Sequence, residues 1–416
     1  MPASNLPSAP TPGNVVIGQS GGPTAVINQT LIGVAKEALR HPQTFKKVYG
    51  AIHGIQGILD GNFCDFAEED PANLEIVAGT PSAALKSVRL KPTPQICAQV
   101  LARFKEHDVR YFFYIGGNDT AETAHIINEM AIADGYQLTC IHCPKTIDND
   151  LRVTDHCPGY GSAAKFVAQA FMGDNLDNRS LGGIKINVVM GRNAGWLTAA
   201  SALARQFPDD GPHLIYCPET DFSMQQFGSD VLKVSQKLGR CVIAVSEGIH
   251  GIGGADIINL GETDSHGNKQ LSGSGALGDY LAAQLKNFLG KAQPGVKHRI
   301  RADTFGYLQR CFPGVVSEVD AREARQAGTA AVEAAIAGTT SGSVAFRRIG
   351  DGAAYAIETF ITPLHTVAKE TKHMPRELLN AAGNDVVMEK LMPYLKPLVG
   401  TLPAIGRLAM VGAKKA

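Results

Sequence analysis

Short apolar runs alternate with longer segments of helical character along most of the chain. The apolar runs predict buried strands at residues 15–17, 47–52, 111–115, 138–141, 184–190, 214–217, 241–246, 297–301 and 342–347, with a further apolar run at residues 74–77. Helices are predicted between them, for example at residues 25–40 and 322–338, and again from about residue 375. Because strand and helix alternate, the pattern predicts an α/β protein with a mainly parallel sheet, flanked by helices, in each of two domains.

The length of the chain agrees with two such domains. Its 416 residues exceed the roughly 250–300 residues at which a single hydrophobic core stops growing. Residues 1–13 are rich in Pro, Ser and Ala, which predicts a disordered tail. We expect the first domain at residues 14–160, the second at residues 161–306, and a C-terminal segment at residues 307–416 that packs back across both.

Two neighbouring predicted strands of the first domain each lead into a polar loop. The strand at residues 111–115 is followed by Gly-Gly-Asn-Asp-Thr at residues 116–120, and the strand at residues 138–141 precedes Pro-Lys-Thr-Ile-Asp-Asn-Asp at residues 144–150. Ligands of open α/β sheets bind at the carboxyl ends of parallel strands. We therefore expect both loops at one ligand site, where the first offers backbone N–H groups and the second offers charge.

The loop chemistry suggests phosphate. The Gly-rich turn at residues 18–23 and the turn at residues 116–120 can each present N–H groups to a phosphate, although either one alone is more often an ordinary tight turn. Lys145, Asp148 and Asp150 would suit a base acting on a substrate hydroxyl beside a cation that stabilises a transferring phosphoryl group. The alternative is a solvated turn in which a carboxylate caps the backbone.

Arginines at predicted strand ends favour a sugar phosphate as ligand. Arg192, Arg301 and Arg310 each lie in or next to such a loop, and arginine forks match two phosphate oxygens. Any one arginine is more often a surface or ion-pairing residue. Glu247 follows another predicted strand and could accept hydrogen bonds from sugar hydroxyls, with capping of the next turn as its alternative role.

Composition narrows the function further. Lys plus Arg equals Asp plus Glu, 39 against 39, so no basic field attracts nucleic acid or a membrane surface. The eight cysteines lie mostly in apolar runs, which favours reduced thiols, and the Cys140–Cys143 pair has no second pair to complete a zinc site. No apolar run reaches the roughly 18 residues of a membrane span, and no secretory leader is recognisable. We expect a soluble, cytoplasmic enzyme.

Five motifs together resemble the phosphofructokinases. They are the two loops described above, then Met-Gly-Arg at residues 190–192, Ser-Glu-Gly-Ile at residues 246–249 and Gly-Tyr-Leu-Gln-Arg at residues 306–310. The resemblance extends from about Gly18 to Arg310, and the last hundred residues carry no recognisable motif. Asp119 and Lys145 stand where ATP-using members have glycines, so the chain looks like the pyrophosphate-dependent branch of the family.

The resemblance implies a reaction and a set of site residues. The reaction is reversible phosphoryl transfer from pyrophosphate to the 1-hydroxyl of fructose 6-phosphate, giving fructose 1,6-bisphosphate and phosphate in glycolysis or gluconeogenesis. Residues 14–160 would then bind the donor with Mg²⁺, and residues 161–306 would bind the sugar phosphate. The implied catalytic residues are Asp148 as base, Lys145 and Asp119; the donor site comprises Gly21, Gly22, Lys86, Arg89 and Gly117, with Asn118 near the metal. The implied sugar-phosphate site comprises Thr146, Ile147, Asp148, Met190, Gly191, Arg192, Glu247, Arg301, Tyr307, Leu308, Gln309 and Arg310.

Three alternatives remain open from the residues. They are an ATP-dependent 6-phosphofructokinase, an enzyme that uses pyrophosphate with sedoheptulose 7-phosphate, and a catalytically silent regulatory subunit. Asp119 and Lys145 disfavour the first, and the presence of Asp148, Lys145 and Arg310 disfavours the last. The family default is a homodimer or homotetramer, and the resemblance suggests that Arg301 acts from a neighbouring subunit.

Overall fold

The structure is a computed structural model that describes residues 11–88, 90, 93–258, 274–368 and 370–408. Most of the predicted tail at residues 1–13 lies outside the described residues, as does Arg89. The first strand begins at Gly13, so the last residue of the predicted tail already belongs to the fold.

Strands and helices alternate through the chain as the pattern predicts. The strands are β1 (Gly13–Gln19), β2 (Phe45–Ala51), β3 (Phe63–Asp65), β4 (Val109–Gly116), β5 (Thr139–Pro144), β6 (Gly183–Val189), β7 (Leu214–Tyr216), β8 (Arg240–Ser246), β9 (Ile300–Thr304), β10 (Ser341–Ile349) and β11 (Ala356–Thr362). The helices are α1 (Ile27–Leu39), α2 (Ile55–Asp60), α3 (Pro71–Gly79), α4 (Pro94–Glu106), α5 (Asn118–Ala133), α6 (Tyr160–Leu181), α7 (Trp196–Ala199), α8 (Met224–Leu238), α9 (Ala276–Ala292), α10 (Leu308–Cys311), α11 (Glu318–Ile336) and α12 (Met388–Val399).

In the larger sheet, the carboxyl ends of β1, β4 and β5 lie next to one another. Within the described residues it has seven strands in the order β11-β10-β5-β4-β1-β2-β3, and its central pairs are parallel. Gln19 pairs with Ile115 in β4, and Gly116 pairs with Pro144 in β5. Because these partners are the last residues of their strands or next to them, the turns that follow β1, β4 and β5 lie side by side.

The smaller sheet is parallel throughout. In the part of the chain that the structure describes, it has four strands in the order β7-β8-β6-β9. Val189 at the end of β6 pairs with Ser246 at the end of β8. The loops that carry Met190 and Glu247 are therefore neighbours, as the loops of the larger sheet are. The predicted α/β fold with two mainly parallel sheets is confirmed.

The C-terminal part of the chain contacts both sheets. β10 adds parallel to β5 of the larger sheet, and β11 pairs antiparallel with β10 at the edge. Helix α12 packs instead beside α6, where Leu391, Leu395 and Leu398 are buried in the same hydrophobic cluster as Phe171 and Trp196. The segment thus ties the two halves of the molecule together through apolar contacts, which stabilise by about 25 cal/mol per Å² buried.

Some elements differ from the sequence expectation. Residues 74–77 lie inside helix α3, whose N-cap is Asp70 with Pro71 at the first helical position. The strand predicted at residues 297–301 is Ile300–Thr304, and the helix of the C-terminal region starts at Met388. Strand β11 was not predicted. Among the described residues, no helix combines the length and hydropathy needed to cross a membrane.

Candidate active site

A cavity of about 410 Å³ lies where the carboxyl ends of both sheets meet. Most of its lining residues come from the loops after β1, β4 and β5 on one side and after β6, β8 and β9 on the other, and Val88, Leu90 and Thr371 come from two further segments. The lining residues are Ser20, Gly21, Gly22, Pro23, Val88, Leu90, Gly117, Asn118, Asp119, Thr120, Thr123, Lys145, Thr146, Ile147, Asp148, Asp150, Met190, Arg192, Asn193, Glu247, Arg310 and Thr371. We call residues 20–23, 117–120 and 145–150 the large-sheet wall, and residues 190–193, 247 and 310 the small-sheet wall.

Lys145 is held against the glycine turn that follows β1. Its ammonium donates a hydrogen bond of 2.7 Å to the carbonyl oxygen of Gly22, and the side chain is only 3% exposed. Gly21 has a φ of +75°, and a methyl group there would lie 3.1 Å from the Lys145 nitrogen. Glycine therefore allows both the left-handed backbone and the close approach of the lysine.

A second loop supports the same turn from outside. Gly21 N donates to the carbonyl of Val88, and the Ser87 hydroxyl donates to the carbonyl of Gly21 at 2.6 Å. Buried Gln19 accepts a hydrogen bond from the backbone N–H of Leu85. These bonds place the loop at residues 80–88 next to the turn, although Lys86 itself is exposed and does not line the cavity.

The turn after β4 presents polar groups at the start of helix α5. Gly117 is the N-cap residue, and Asp119 lies in the first helical turn, where it is exposed to the cavity. The ring of buried His142 donates a hydrogen bond of 2.9 Å from Nε2 to the carbonyl oxygen of Gly116, which holds the turn in place. Asn118 Oδ1 is buried and accepts no hydrogen bond from the described part of the chain.

The loop at residues 145–150 carries two carboxylates into the cavity. The backbone N–H of Asp148 donates to Thr146 Oγ1 at 3.1 Å, which turns the loop back on itself. Burial raises the pKa of Asp148 above its ordinary value, and the positive charges of Arg310 and Arg192 act in the opposite direction. A carboxylate with a raised pKa is better suited to accept a proton near neutral pH.

Asp150 lies beside Asp148 in the same cavity. Burial raises the pKa of Asp150 to about 7, and the charge of Asp148 adds to this effect. Two neighbouring carboxyl groups in a poorly hydrated site do not readily carry two negative charges. Burial and the neighbouring charge of Asp148 therefore both favour the protonated form of Asp150.

The small-sheet wall is built on contacts between three loops. The N–H of Met190 donates to Gln309 Oε1 at 3.2 Å, and the N–H of Gly191 donates to Glu247 Oε1 at 3.4 Å. Glu247 is 6% exposed and lines the cavity with Arg192. This arrangement fixes the carboxylate of Glu247 while keeping it in reach of a ligand.

Arg310 connects the two walls. A methyl group at Gly22 would lie 3.2 Å from the guanidinium carbon of Arg310, so the arginine reaches across the cavity to the glycine turn. The same carbon lies 4.5 Å from the centre of the Tyr307 ring, a cation–π contact that orients the side chain. Arg310 is thus near both the turn that holds Lys145 and the small-sheet wall.

The structure brings most of the predicted residues together, but not all of them. The predicted residues that line the cavity are Gly21, Gly22, Gly117, Asn118, Asp119, Lys145, Thr146, Ile147, Asp148, Met190, Arg192, Glu247 and Arg310. Those that do not line it are Lys86, Gly191, Arg301, Tyr307, Leu308 and Gln309. Of these, Gly191 and Gln309 support lining residues through hydrogen bonds, whereas Arg301 and Leu308 are exposed. Arg89 lies outside the described residues.

Sequence reasoning did not assign several lining residues to the site. Asn193 directly follows Arg192 in a turn that was recognised, so its position was accessible from the sequence. Thr371 lies in the C-terminal segment, where no motif indicated a contribution to the cavity. The loop chemistry indicates Asp150 as a candidate carboxylate beside Asp148, but the family resemblance does not assign it to the site, where it lines the cavity.

The cysteines are unpaired, and most of them are buried. All eight lie in described parts of the chain and are free thiols. Burial raises the pKa of Cys143 to about 12, so this thiol stays protonated at neutral pH. Within the described residues, no group of three or more His, Cys, Asp or Glu side chains is arranged to hold a metal ion.

Comparisons with known proteins agree with these observations. The phosphofructokinase family model matches residues 14–335. The chain is 52% identical over 392 residues to a pyrophosphate--fructose 6-phosphate 1-phosphotransferase of Rhodospirillum rubrum, covering 93% of this chain and 94% of the relative. It is 39% identical over 399 residues to a protein of the same name from Xanthomonas campestris, covering 94% and 92%.

A solved structure gives the same result. The pyrophosphate-dependent phosphofructokinase from Marinobacter aquaeolei superposes with a TM-score of 0.82 at 32% sequence identity, covering 95% of this chain and 94% of that one. The sequence match and the structural match each cover more than nine-tenths of the chain, including the five motifs. The resemblance seen in the sequence is thus confirmed, and the chain belongs to the phosphofructokinase family.

Proposed function

We propose that this protein transfers a phosphoryl group reversibly from pyrophosphate to the 1-hydroxyl of fructose 6-phosphate, giving fructose 1,6-bisphosphate and phosphate. The observation that carries the proposal is that one cavity holds Lys145 against the glycine turn and Asp148 beside it, with Arg192 and Glu247 opposite. This arrangement offers a phosphate-binding surface, a base and a sugar-binding surface within one volume.

The large-sheet wall suits pyrophosphate. The glycine turn at residues 20–23 and the start of α5 can donate backbone N–H groups to phosphate oxygens, and Lys145 adds a positive charge that lies almost fully out of solvent. Phosphoryl transfer depends mainly on positioning and on electrostatic stabilisation of the transferring group. Lys145, held against the glycine turn, would supply that stabilisation.

Asp119 would discriminate against ATP. Its carboxylate enters the cavity at the start of α5, where the α-phosphate of a nucleotide would approach it. Two like charges 4 Å apart repel by roughly 4 kcal/mol at an effective dielectric constant near 20. Because Asp119 is exposed, solvent screening reduces this repulsion to a fraction of that value. Pyrophosphate has no further phosphate to be repelled.

Asp148 would act as the general base. The oxygen of the sugar 1-hydroxyl attacks the nearer phosphorus of pyrophosphate, its proton passes to Asp148, and the anhydride P–O bond breaks. Orthophosphate is the leaving group, and Lys145 would stabilise the charge that develops on it. The raised pKa of Asp148 favours the proton transfer, and the reverse reaction uses the same residue as an acid.

The residues present also fit a magnesium ion. Asn118 Oδ1 is a buried oxygen that accepts no hydrogen bond from the described chain, and Asp119 adds a carboxylate next to it in the cavity. Mg²⁺ prefers oxygen ligands and commonly binds through one or two protein oxygens together with substrate phosphates. We propose that Asn118 holds Mg²⁺ together with pyrophosphate, where the ion would neutralise charge on the phosphates.

The sugar phosphate would occupy the small-sheet wall. Glu247 would accept hydrogen bonds from sugar hydroxyls, and Arg192 and Arg310 would bind its phosphate through their planar forks. Tyr307 contributes by orienting Arg310. Arg301 is exposed on β9, away from the cavity lining, so its predicted role requires a second subunit in a homodimer or homotetramer.

Phosphorus NMR tests the proposal directly. The purified protein is incubated with Mg²⁺, pyrophosphate and fructose 6-phosphate, and the spectrum is followed with time. We expect the pyrophosphate signal to be replaced by one orthophosphate signal and one new sugar 1-phosphate signal. In a second sample that starts from fructose 1,6-bisphosphate and phosphate, we expect the reverse reaction to reach the same equilibrium. Release of two orthophosphates without a new ester would contradict the proposal.

A further inference from the structure

A short segment of the C-terminal region joins the two walls of the cavity. It comprises residues 370–374, which we call the strap. On the side of the larger sheet, Thr371 forms an antiparallel bridge with Leu151, and the N–H of Lys372 donates to the carbonyl of Asp150 at 2.6 Å. Glu370 forms an ion pair with Arg152. The strap therefore runs along the loop that begins with Lys145 and contains Asp148.

The side chain of Lys372 binds the same loop at two further points. Its ammonium donates to the carbonyl oxygens of Thr154 at 3.0 Å and of Asp155 at 2.8 Å. The Asp155 carbonyl also accepts a hydrogen bond from the hydroxyl of Tyr394. Lys372 does not line the cavity, so it acts on the loop and does not touch a ligand.

The next two residues of the strap bind the side of the smaller sheet. His373 Nδ1 donates to the carbonyl of Asn193 at 2.8 Å, and Asn193 lines the cavity next to Arg192. The N–H of Met374 donates to Glu219 Oε1, which also accepts from the N–H of Gly195. Two adjacent residues, Lys372 and His373, thus hold the two walls at a fixed separation.

The geometry points to Lys372 and His373 as positioning residues for phosphoryl transfer, an inference that rests on the proposed function. The ammonium of Lys372 holds the carbonyls of Thr154 and Asp155, six and seven residues after Asp148 in the same loop, so its loss shifts the loop that carries the base. A shift of Asn193 likewise moves the sugar-binding turn. A misplacement of about 1 Å lowers the rate roughly 10²-fold even when its source lies away from the reacting atoms.

Two variants test this inference separately. Lys372→Met keeps the length of the side chain and removes the ammonium, and His373→Ala removes the donor to Asn193. We expect kcat to fall by roughly 10- to 100-fold in each, while KM for both substrates changes less than about threefold, because positioning affects the transfer step more than binding. Lys372→Arg and His373→Gln retain N–H donors and should recover a large part of kcat.

A matched control separates positioning from stability. Lys165 also donates from its ammonium to a backbone carbonyl, that of Val316 at 3.2 Å, but neither residue lines the cavity. Lys165→Met should leave kcat unchanged, and the melting temperatures of both variants show how much stability each substitution removes. In hydrogen exchange, only the Lys372 variant should raise exchange at residues 148–155.

The outcomes distinguish this inference from the proposed function. All rates are compared with those of the wild-type protein, whose own turnover with pyrophosphate tests the proposed function independently. Unchanged kcat in both strap variants, or a rise in KM with kcat retained, would overturn the positioning role while the function stands. If Lys372→Met does not fold, His373→Ala alone decides, because His373 is exposed and its loss leaves the core intact.

Discussion

The large-sheet and small-sheet walls follow the same topological rule but differ in how their side chains are held. On the large-sheet wall, Lys145 is 3% exposed and its ammonium is bound to a backbone carbonyl, while His142 fixes the neighbouring turn from below. On the small-sheet wall, Arg310 extends across the cavity to Gly22. On the large-sheet wall, Lys145 and the turn after β4 are thus held by hydrogen bonds to backbone carbonyls. On the small-sheet wall, the side chain of Arg310 extends away from its own loop.

This difference indicates that one wall mainly serves the transfer step and the other mainly serves substrate recognition. Groups that stabilise charge in a transition state are effective when they are fixed before the reaction, since no reorganisation is then needed. Groups that recognise a substrate can be longer and more adaptable. We therefore expect substitutions of cavity-lining side chains on the large-sheet wall to lower kcat or change donor choice, and substitutions of cavity-lining side chains on the small-sheet wall to raise KM for the sugar phosphate.

The largest effect is expected from Asp148→Asn. The amide keeps the shape of the side chain but cannot accept the hydroxyl proton, so kcat should fall by roughly 10²- to 10⁴-fold. Isothermal titration calorimetry should show that fructose 6-phosphate still binds with nearly wild-type affinity. If the variant loses both sugar binding and turnover, the result would count against a role of Asp148 as base. It would also contradict the expected difference between the two walls.

A smaller effect is expected on the opposite wall from Glu247→Gln. Hydrogen bonds to a charged group contribute about 1.5–3 kcal/mol, so loss of the charge should raise KM for fructose 6-phosphate roughly 10- to 100-fold. Steady-state kinetics with pyrophosphate at saturation should show a much smaller change in kcat. A large fall in kcat with KM unchanged would mean that Glu247 serves the chemistry instead of recognition.

Donor choice should respond to Asp119→Gly. Removal of the carboxylate should raise the ratio of kcat/KM for ATP to that for pyrophosphate by about tenfold, because the repulsion is partly screened by solvent. Asp279→Gly is a matched control, since Asp279 also lies in the first turn of its helix but does not line the cavity. If both variants have the wild-type ratio, Asp119 does not set donor choice.

The smallest effect is a shift in pH dependence in Arg310→Met. The positive charge of Arg310 lowers the pKa of Asp148 against the raising effect of burial, so its removal should raise that pKa further. Asp148 must be deprotonated to act as base, and the acid limb of kcat/KM should therefore move to higher pH, by up to about one unit. Burial raises the pKa of Asp150 to about 7, so this residue is a second source of an acid limb. The pH profile should therefore also be measured in Asp150→Asn. If Asp148 causes the acid limb, the limb persists in that variant.

The loops of the site could be predicted because their chemistry is local. Glycines and charged residues directly follow apolar runs, and parallel strands bring such loops to one edge. The apolar run at residues 74–77 was ambiguous, since a short run does not distinguish a strand from a helix by periodicity alone. Here Asp70 and Pro71 were the better signal, because they form an N-cap and a first helical residue.

The contribution of the C-terminal region could not be predicted from its sequence. Lys372 and His373 act on backbone carbonyls that are 218 and 180 positions away, at Thr154 and Asn193. Every residue has a backbone carbonyl, so the residue types at Thr154 and Asn193 do not show that these carbonyls accept hydrogen bonds from distant side chains. Strand β11 is another case, because its pairing depends on the placement of β10 at the edge of the sheet.

The most direct test of the account is a comparison of initial rates with two donors. Purified wild-type protein is assayed with Mg²⁺ and fructose 6-phosphate, once with pyrophosphate and once with ATP, over the same range of donor concentrations. We predict turnover with pyrophosphate and a kcat/KM for ATP that is lower by at least about tenfold. Equal or faster turnover with ATP would contradict the roles given to Asp119 and Lys145 on the large-sheet wall.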